Sequence, residues 1–234
     1  MKKLILFALP IALLLFVQCK TDTSSSSKSP VKEVPKAAEK AVKEVKKAAL
    51  TGGKMLNPNL SNASDMIDAL AISKELAAKI VASRPFLDMV SINTMLATEL
   101  DGDEIKGVYK KMFLPLNINT ASDAEFKMIP GVGDKMAHEF EEYRPYKKMA
   151  QFEREMGKYV DDKQIAEYKK YIFIPVNLNT ATEEEILALP GVGKKMAHEF
   201  EEYRPYKDMA QFRRQIGKYV DDKELKRLER FVVL

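Results

Sequence analysis

The chain has 234 residues, 46% of them hydrophobic, with 38 basic against 34 acidic side chains, a net charge of +4, one cysteine and no tryptophan. A single cysteine excludes an internal disulfide framework. The excess positive charge is confined to residues 1–56, where 11 Lys stand against 4 acidic residues, while residues 57–116, 117–176 and 177–234 sum to −2, −1 and zero. A near-neutral body counts against a strongly basic nucleic-acid footprint.

Met1-Lys2-Lys3 opens the chain, Leu4–Val17 is an apolar run of 14 residues, and Cys19 follows, ahead of a polar Lys, Thr, Asp and Ser stretch. Fourteen residues fall short of the roughly 20 that a spanning helix needs, and they suit the core of a signal peptide. The segment resembles a bacterial lipoprotein signal. That resemblance implies a signal peptide over 1–18, lipid modification at Cys19, and an exported protein held at the cell envelope through its lipid anchor. An uncleaved short anchor is the alternative. Residues 19–56 read as a flexible tether: Ser, Thr and Lys first, then a Lys, Glu, Val and Ala stretch over Val31–Leu50 without large apolar side chains.

The remainder is repetitive. Asn117–Ile174 aligns without gaps on Asn177–Leu234, with 34 identities in 58 positions. A worn copy precedes them at the same spacing: Asn57-Pro-Asn59 matches Asn117-Ile-Asn119, and Arg84-Pro85-Phe86 matches Arg144-Pro145-Tyr146. A fixed period marks one supersecondary unit copied in tandem. The units expected are a degenerate repeat at 57–116 and two full repeats at 117–176 and 177–234. Where the full repeats read Pro-Gly-Val-Gly, repeat one reads Leu70-Ala71-Ile72-Ser73. Its hairpin, and with it the site, is expected to be lost.

Within a repeat, Ser122 with Glu125 and Thr182 with Glu185 form capping-box patterns that start a short helix, its core side in repeat three given by Ile186, Leu187 and Leu189. Pro190 stops that helix and Gly191 permits a turn. A second helix over Lys194–Tyr203 carries Met196, Ala197, Phe200 and Tyr203 in one apolar stripe. A third is expected near Met209–Ile216. A last helix, capped by Asp221 or Asp222, runs through Leu225 and Leu228. No segment alternates with period two for long enough to found a sheet, so the fold class is all-α.

The run Asn-Thr-Ala, Leu-Pro-Gly-Val-Gly and Tyr-Arg resembles the helix-hairpin-helix module of ComEA-type competence DNA receptors. The resemblance implies DNA binding without sequence preference, with hairpin amides gripping the phosphate backbone and no role for a cofactor. Unpaired amides and the positive dipole end at a helix N-terminus suit an anion physically. Carried over by position, the DNA-binding set is Gly131, Val132, Gly133 and Lys135 in repeat two, and Gly191, Val192, Gly193, Lys194 and Lys195 in repeat three. Three departures stand against it. Asp134 replaces a lysine beside the second repeat's hairpin. The following helices carry Glu139, Glu141 and Glu142, and Glu199, Glu201 and Glu202, which reads as an acidic exposed face. The place of a second glycine hairpin holds Gly217-Lys-Tyr-Val-Asp221-Asp222, whose aspartates repel a phosphate. Repeat three is therefore the better DNA candidate. Tyr143, Arg144 and Tyr146 offer base stacking or core packing. His138 with Glu142, and His198 with Glu202, share the four-residue spacing of zinc ligands but lack a third ligand, so no metal is assigned. No nucleophile–base pairing points to an enzyme. Beside the DNA reading stands a second one, an envelope scaffold that uses the same helices against a protein partner.

Overall fold

Side-chain caps mark where most of the helices begin. The structure, a computed structural model, describes residues 55–234. The signal over 1–18, Cys19 and the tether up to residue 54 lie outside the described residues. The first segment holds α1 (Ala63–Leu70), α2 (Lys74–Ala82), α3 (Met89–Leu96) and α4 (Gly102–Tyr109). The second holds β1 (Leu116–Asn117), α5 (Asp123–Phe126), α6 (Asp134–Glu142), α7 (Met149–Met156), α8 (Asp162–Tyr168) and β2 (Ile172–Phe173). The third holds β3 (Val176–Asn177), α9 (Glu183–Leu187), α10 (Lys194–Glu202), α11 (Met209–Ile216), α12 (Asp222–Glu229) and β4 (Val232–Val233). The fold is all-α, with strands of two residues only among the described residues. No helix among the described residues is long and apolar enough to cross a membrane.

Both expected capping boxes form: Ser122 and Thr182 accept from the amides of Glu125 and Glu185, whose carboxylates reach back to the cap amides. Asp161 and Asp221 cap α8 and α12. The stripe on α10 faces inward, with Ala197 and Phe200 fully buried and Met196 and Tyr203 half-buried against the core.

The strands close each repeat on itself. β1 pairs in parallel with β2 in the register Leu116 to Ile172, and β3 with β4 in the register Val176 to Val232. A single bridge between Leu56 and Met112 does the same for the first segment. Leu56 therefore belongs to the fold, one residue ahead of the expected start of repeat one. Two-residue strands carry no period-two signal in the sequence, yet each finds a partner 56 residues away in the chain.

A polar latch recurs beside these bridges. Asn119 donates from Nδ2 to Tyr146 O at 2.9 Å and accepts the Tyr146 amide at 2.7 Å. Arg144 donates to Ile118 O at 2.7 Å and to Ala121 O at 2.5 Å. Asn179 with Arg204, and Asn59 with Arg84, repeat the arrangement. Arg84–Pro85, Arg144–Pro145 and Arg204–Pro205 are all cis peptides. Buried carbonyls need partners, and a planar guanidinium fork serves two of them at once. Tyr146 and Tyr206 are buried. The Asn and Arg-Pro-aromatic motifs thus hold the repeat closed, which accounts for their presence in the degenerate copy.

Two hydrophobic cores result. One runs from Met66 to Ile172 and unites the first two segments, and the other runs from Phe173 to Val232. Aromatic pairs continue along the repeat ends, with Phe113 edge-on to Tyr171 at 5.0 Å and Phe173 tilted on Phe231 at 4.7 Å. Arg230 reaches from the third segment to Pro115 O at 2.9 Å. Beside it lies a cavity of about 220 Å³.

Candidate nucleic-acid interface

Each full hairpin begins as a tight turn. Val132 donates its amide to Ile129 O at 3.0 Å, and Val192 to Leu189 O at 3.1 Å. Proline occupies the second position and glycine the third, with φ +85° at Gly131 and +76° at Gly191. That combination is the type II arrangement. The two valines point their side chains into the core, so their amides and side chains are both engaged by the protein. Gly131, Gly133, Lys135, Gly191, Gly193, Lys194 and Lys195 are exposed.

The helices that follow lack side-chain caps, as does α7, whose N-cap is Lys148. Gly133 and Gly193 are the N-cap residues of α6 and α10, and neither helix start has a side-chain cap hydrogen bond. Their first-turn amides therefore have no side-chain acceptor, and the residues that carry the first of them, Gly133, Asp134, Lys135, Gly193, Lys194 and Lys195, are exposed. Repeat one makes the same bend differently. Ala71, aligned with Gly131, takes up the left-handed conformation at φ 57° and ψ 31°, and Ile72 is buried like the valines. The left-handed residue is kept without glycine, but the hairpin hydrogen bond of the full repeats has no counterpart: the Ala71 amide returns to Ile67 O at 3.0 Å instead, and the cap changes as well. Ser73 accepts the Leu76 amide at 2.9 Å and donates to Glu99 at 2.5 Å. That helix end is occupied by the protein's own oxygen and flanked by a carboxylate. The α8 and α12 starts are likewise occupied, by Asp161 and Asp221.

The charges around the two open hairpins differ. In repeat two Lys127 bridges Asp123 at 2.7 Å and Asp134 at 2.5 Å. These hydrogen bonds hold the Asp134 carboxyl below its usual range and the Lys127 ammonium above its own. Lys135 leans over the Tyr159 ring, its nitrogen 5.9 Å from the centroid. The helix faces are less acidic than the sequence indicates. Glu139 and Glu199 are buried, each with one carboxylate oxygen lacking a partner, and Glu141 and Glu201 pair with Arg144 and Arg204. His138 and His198 meet Glu142 and Glu202 at 3.7 and 3.6 Å on open surface. Among the described residues no group of three acidic, His or Cys side chains that could hold a metal occurs.

Residues that sequence reasoning passed over support each hairpin from behind. The Tyr168 hydroxyl donates to Gly131 O at 3.2 Å. In repeat three Arg227, only 3% exposed, donates from Nη1 to Pro190 O at 2.5 Å and grips Glu224 through Nε and Nη2 at 2.8 and 2.7 Å. Its Nη2 lies 2.8 Å from the point where a Cβ on Gly191 would stand, and Leu60 Cδ2 of repeat one lies 3.0 Å from that point. Tyr168 and Arg227 sit one register apart on the fourth helix of their repeats, and Leu60 comes from another repeat. Neither signal is visible in a local motif.

A family model described as the helix-hairpin-helix motif matches residues 175–200, the stretch that holds α9, the glycine turn and most of α10. No curated protein and no solved structure matches the chain. The third segment thus carries a helix-hairpin-helix motif.

Proposed function

We propose that this protein binds DNA without sequence preference through the hairpins that open α6 and α10, carries out no chemistry of its own, and is tethered to the cell envelope by a lipid-modified Cys19. The observation that carries the DNA reading is the contrast at one aligned position: Ser73 fills its own helix end, whereas Gly133 and Gly193 leave theirs uncapped. Open first-turn amides with a positive dipole end favour a phosphate oxygen. Backbone-to-phosphate contacts position a protein on DNA without reading bases. The helix-hairpin-helix match supports a nucleic-acid partner, and the likeness to ComEA-type receptors extends the proposal to holding DNA for uptake.

Anisotropy titration of the full-length chain with a labelled duplex, at several salt concentrations, tests this. Each neutralised phosphate contributes about −0.9 to the slope of log affinity against log salt. Few phosphates are within reach of two hairpins, so a shallow slope is expected, with equal competition by unrelated sequences. Combined Gly133→Asp and Gly193→Asp substitution sets a carboxylate at each amide cluster and is expected to abolish binding. A folded wild-type chain with no affinity at low salt refutes the DNA reading. For the tether, Cys19→Ala is expected to release the protein from the detergent phase, and unchanged partitioning points instead to an uncleaved anchor.

A protein-binding scaffold is favoured by one specific observation. Leu60, Val81, Leu87 and Val90 of repeat one are 37–49% exposed. The aligned residues are Thr120, Glu141, Lys147 and Ala150 in repeat two, and Thr180, Glu201, Lys207 and Ala210 in repeat three.

A further inference from the structure

We propose that Arg227 is an electrostatic anchor of the third hairpin, drawing a DNA phosphate onto the α10 amides from behind the backbone, and that Glu224 sets how much of that charge the phosphate feels. The inference rests on the DNA reading above.

The guanidinium stands against the bend of the hairpin. Its Nη1 holds Pro190 O, and its Nη2 occupies space that any side chain at position 191 would need. Glycine at 191 therefore does more than allow a positive φ: it lets the guanidinium of the Arg227–Glu224 pair come up against the turn. Leu60 closes on the same point with a methyl group.

Glu224 opposes this field. Its carboxylate takes two hydrogen bonds from Arg227 and is the more exposed partner, at 37% against 4% for the two side chains. Removing that carboxylate leaves a buried guanidinium without its counterion. A bound phosphate then supplies the missing negative charge, so binding and folding become linked. Repeat two has no such pair. Gln164 and Glu167 stand at the aligned positions, and the neutral Tyr168 hydroxyl holds the hairpin carbonyl. The two hairpins thus differ in the charge behind them, and the third is the tighter phosphate site.

The test compares wild type, Glu224→Gln, Arg227→Met and Arg227→Lys as full-length chains, titrated with the labelled duplex across a salt series. Circular dichroism checks the fold of each. Glu224→Gln is expected to raise affinity about three- to tenfold at low salt and to steepen the salt slope by about 0.9, one phosphate's worth. Arg227→Met is expected to lower affinity by a similar factor and flatten the slope. Arg227→Lys keeps the charge and serves if the methionine variant fails to fold; its slope should match that of wild type. A merely structural role for the pair would leave the salt slope unchanged. Slopes and affinities within twofold of a wild type that binds overturn this inference alone. A folded wild type that does not bind overturns the DNA reading and this inference together.

Discussion

Replacing Ala71 by glycine is expected to stabilise the protein although it adds no contact. Ala71 sits at φ 57° and ψ 31°, a region that disfavours L-residues by roughly 1–2 kcal/mol. Glycine removes that penalty but gains freedom in the unfolded chain worth about 0.4–1 kcal/mol, which leaves a net gain of about 0.5–1 kcal/mol. The reverse change at the aligned glycines separates backbone from packing. At Gly131, φ +85°, the nearest heavy atom to a new Cβ is Gln164 Nε2 at 3.8 Å. Gly131→Ala therefore meets only the backbone penalty, a loss of about 1 kcal/mol. At Gly191, φ +76°, the same methyl meets Arg227 Nη2 at 2.8 Å and Leu60 Cδ2 at 3.0 Å. Overpacking adds about 1–3 kcal/mol, for a total loss of about 2–4 kcal/mol. Urea unfolding followed by circular dichroism measures each change, and hydrogen exchange resolves the two cores separately. Equal losses at Gly131 and Gly191, or a loss at Ala71→Gly, would refute the reasoning.

Arg144→Ala is expected to destabilise by about 2–4 kcal/mol in the same urea assay, because the carbonyls of Ile118 and Ala121 lose their donor. Arg144→Lys keeps the charge but not the fork and is expected to recover only part of this. Stability is expected to fall in alkali. Burial pushes the hydroxyls of Tyr109 and Tyr206 up to about 12 and raises those of Tyr146, Tyr168 and Tyr171. Their folded pKa values exceed the unfolded value near 10, so the stabilisation is complete below about pH 10 and is lost as the pH climbs toward about 12. Arg230 opposes this, since burial pulls its guanidinium down to about 10 and its folded form binds fewer protons in that window. Burial lowers Arg84 and Arg144 as well, while hydrogen bonds with Tyr143 and Tyr203 raise Tyr159 and Tyr219, so seven tyrosines outweigh three arginines. Tyrosinate absorbance that rises in step with loss of helical dichroism is the expected result, and an unchanged melting temperature up to pH 12 would count against it.

Local chemistry was legible in the sequence wherever cause and effect lie within a few residues. The capping boxes at Ser122 and Thr182, the α11 span Met209–Ile216 and the glycine turns all follow from neighbours three or four positions apart. The latch was not legible, because Asn119 and Arg144 serve backbone groups 23–27 residues away. Those partners are carbonyls and amides, which every residue has, so no pattern of side chains announces them. Glu139 and Glu199 read as surface because charged residues are seldom buried, and the tertiary fold overrides that preference here. The left-handed bend at Ala71 persists without glycine because a penalty of roughly 1–2 kcal/mol is within what a packed repeat tolerates. Of the candidate site, the exposed glycines and lysines were readable. The engagement of the Val132 and Val192 amides and the presence of Arg227 and Leu60 behind Gly191 depend on packing.

The closure of each repeat on itself bears on how such a chain lengthens. Leu116 lies beside Ile172, and Val176 beside Val232, so the chain leaves every unit next to where it entered. One more copy, inserted at residue 116 or 176, would begin and end at the same point and would leave the strand pairs and latches on either side intact. Growth by duplication of whole 60-residue blocks is then the cheapest change open to the gene, and each new block arrives free to diverge, as the first one has.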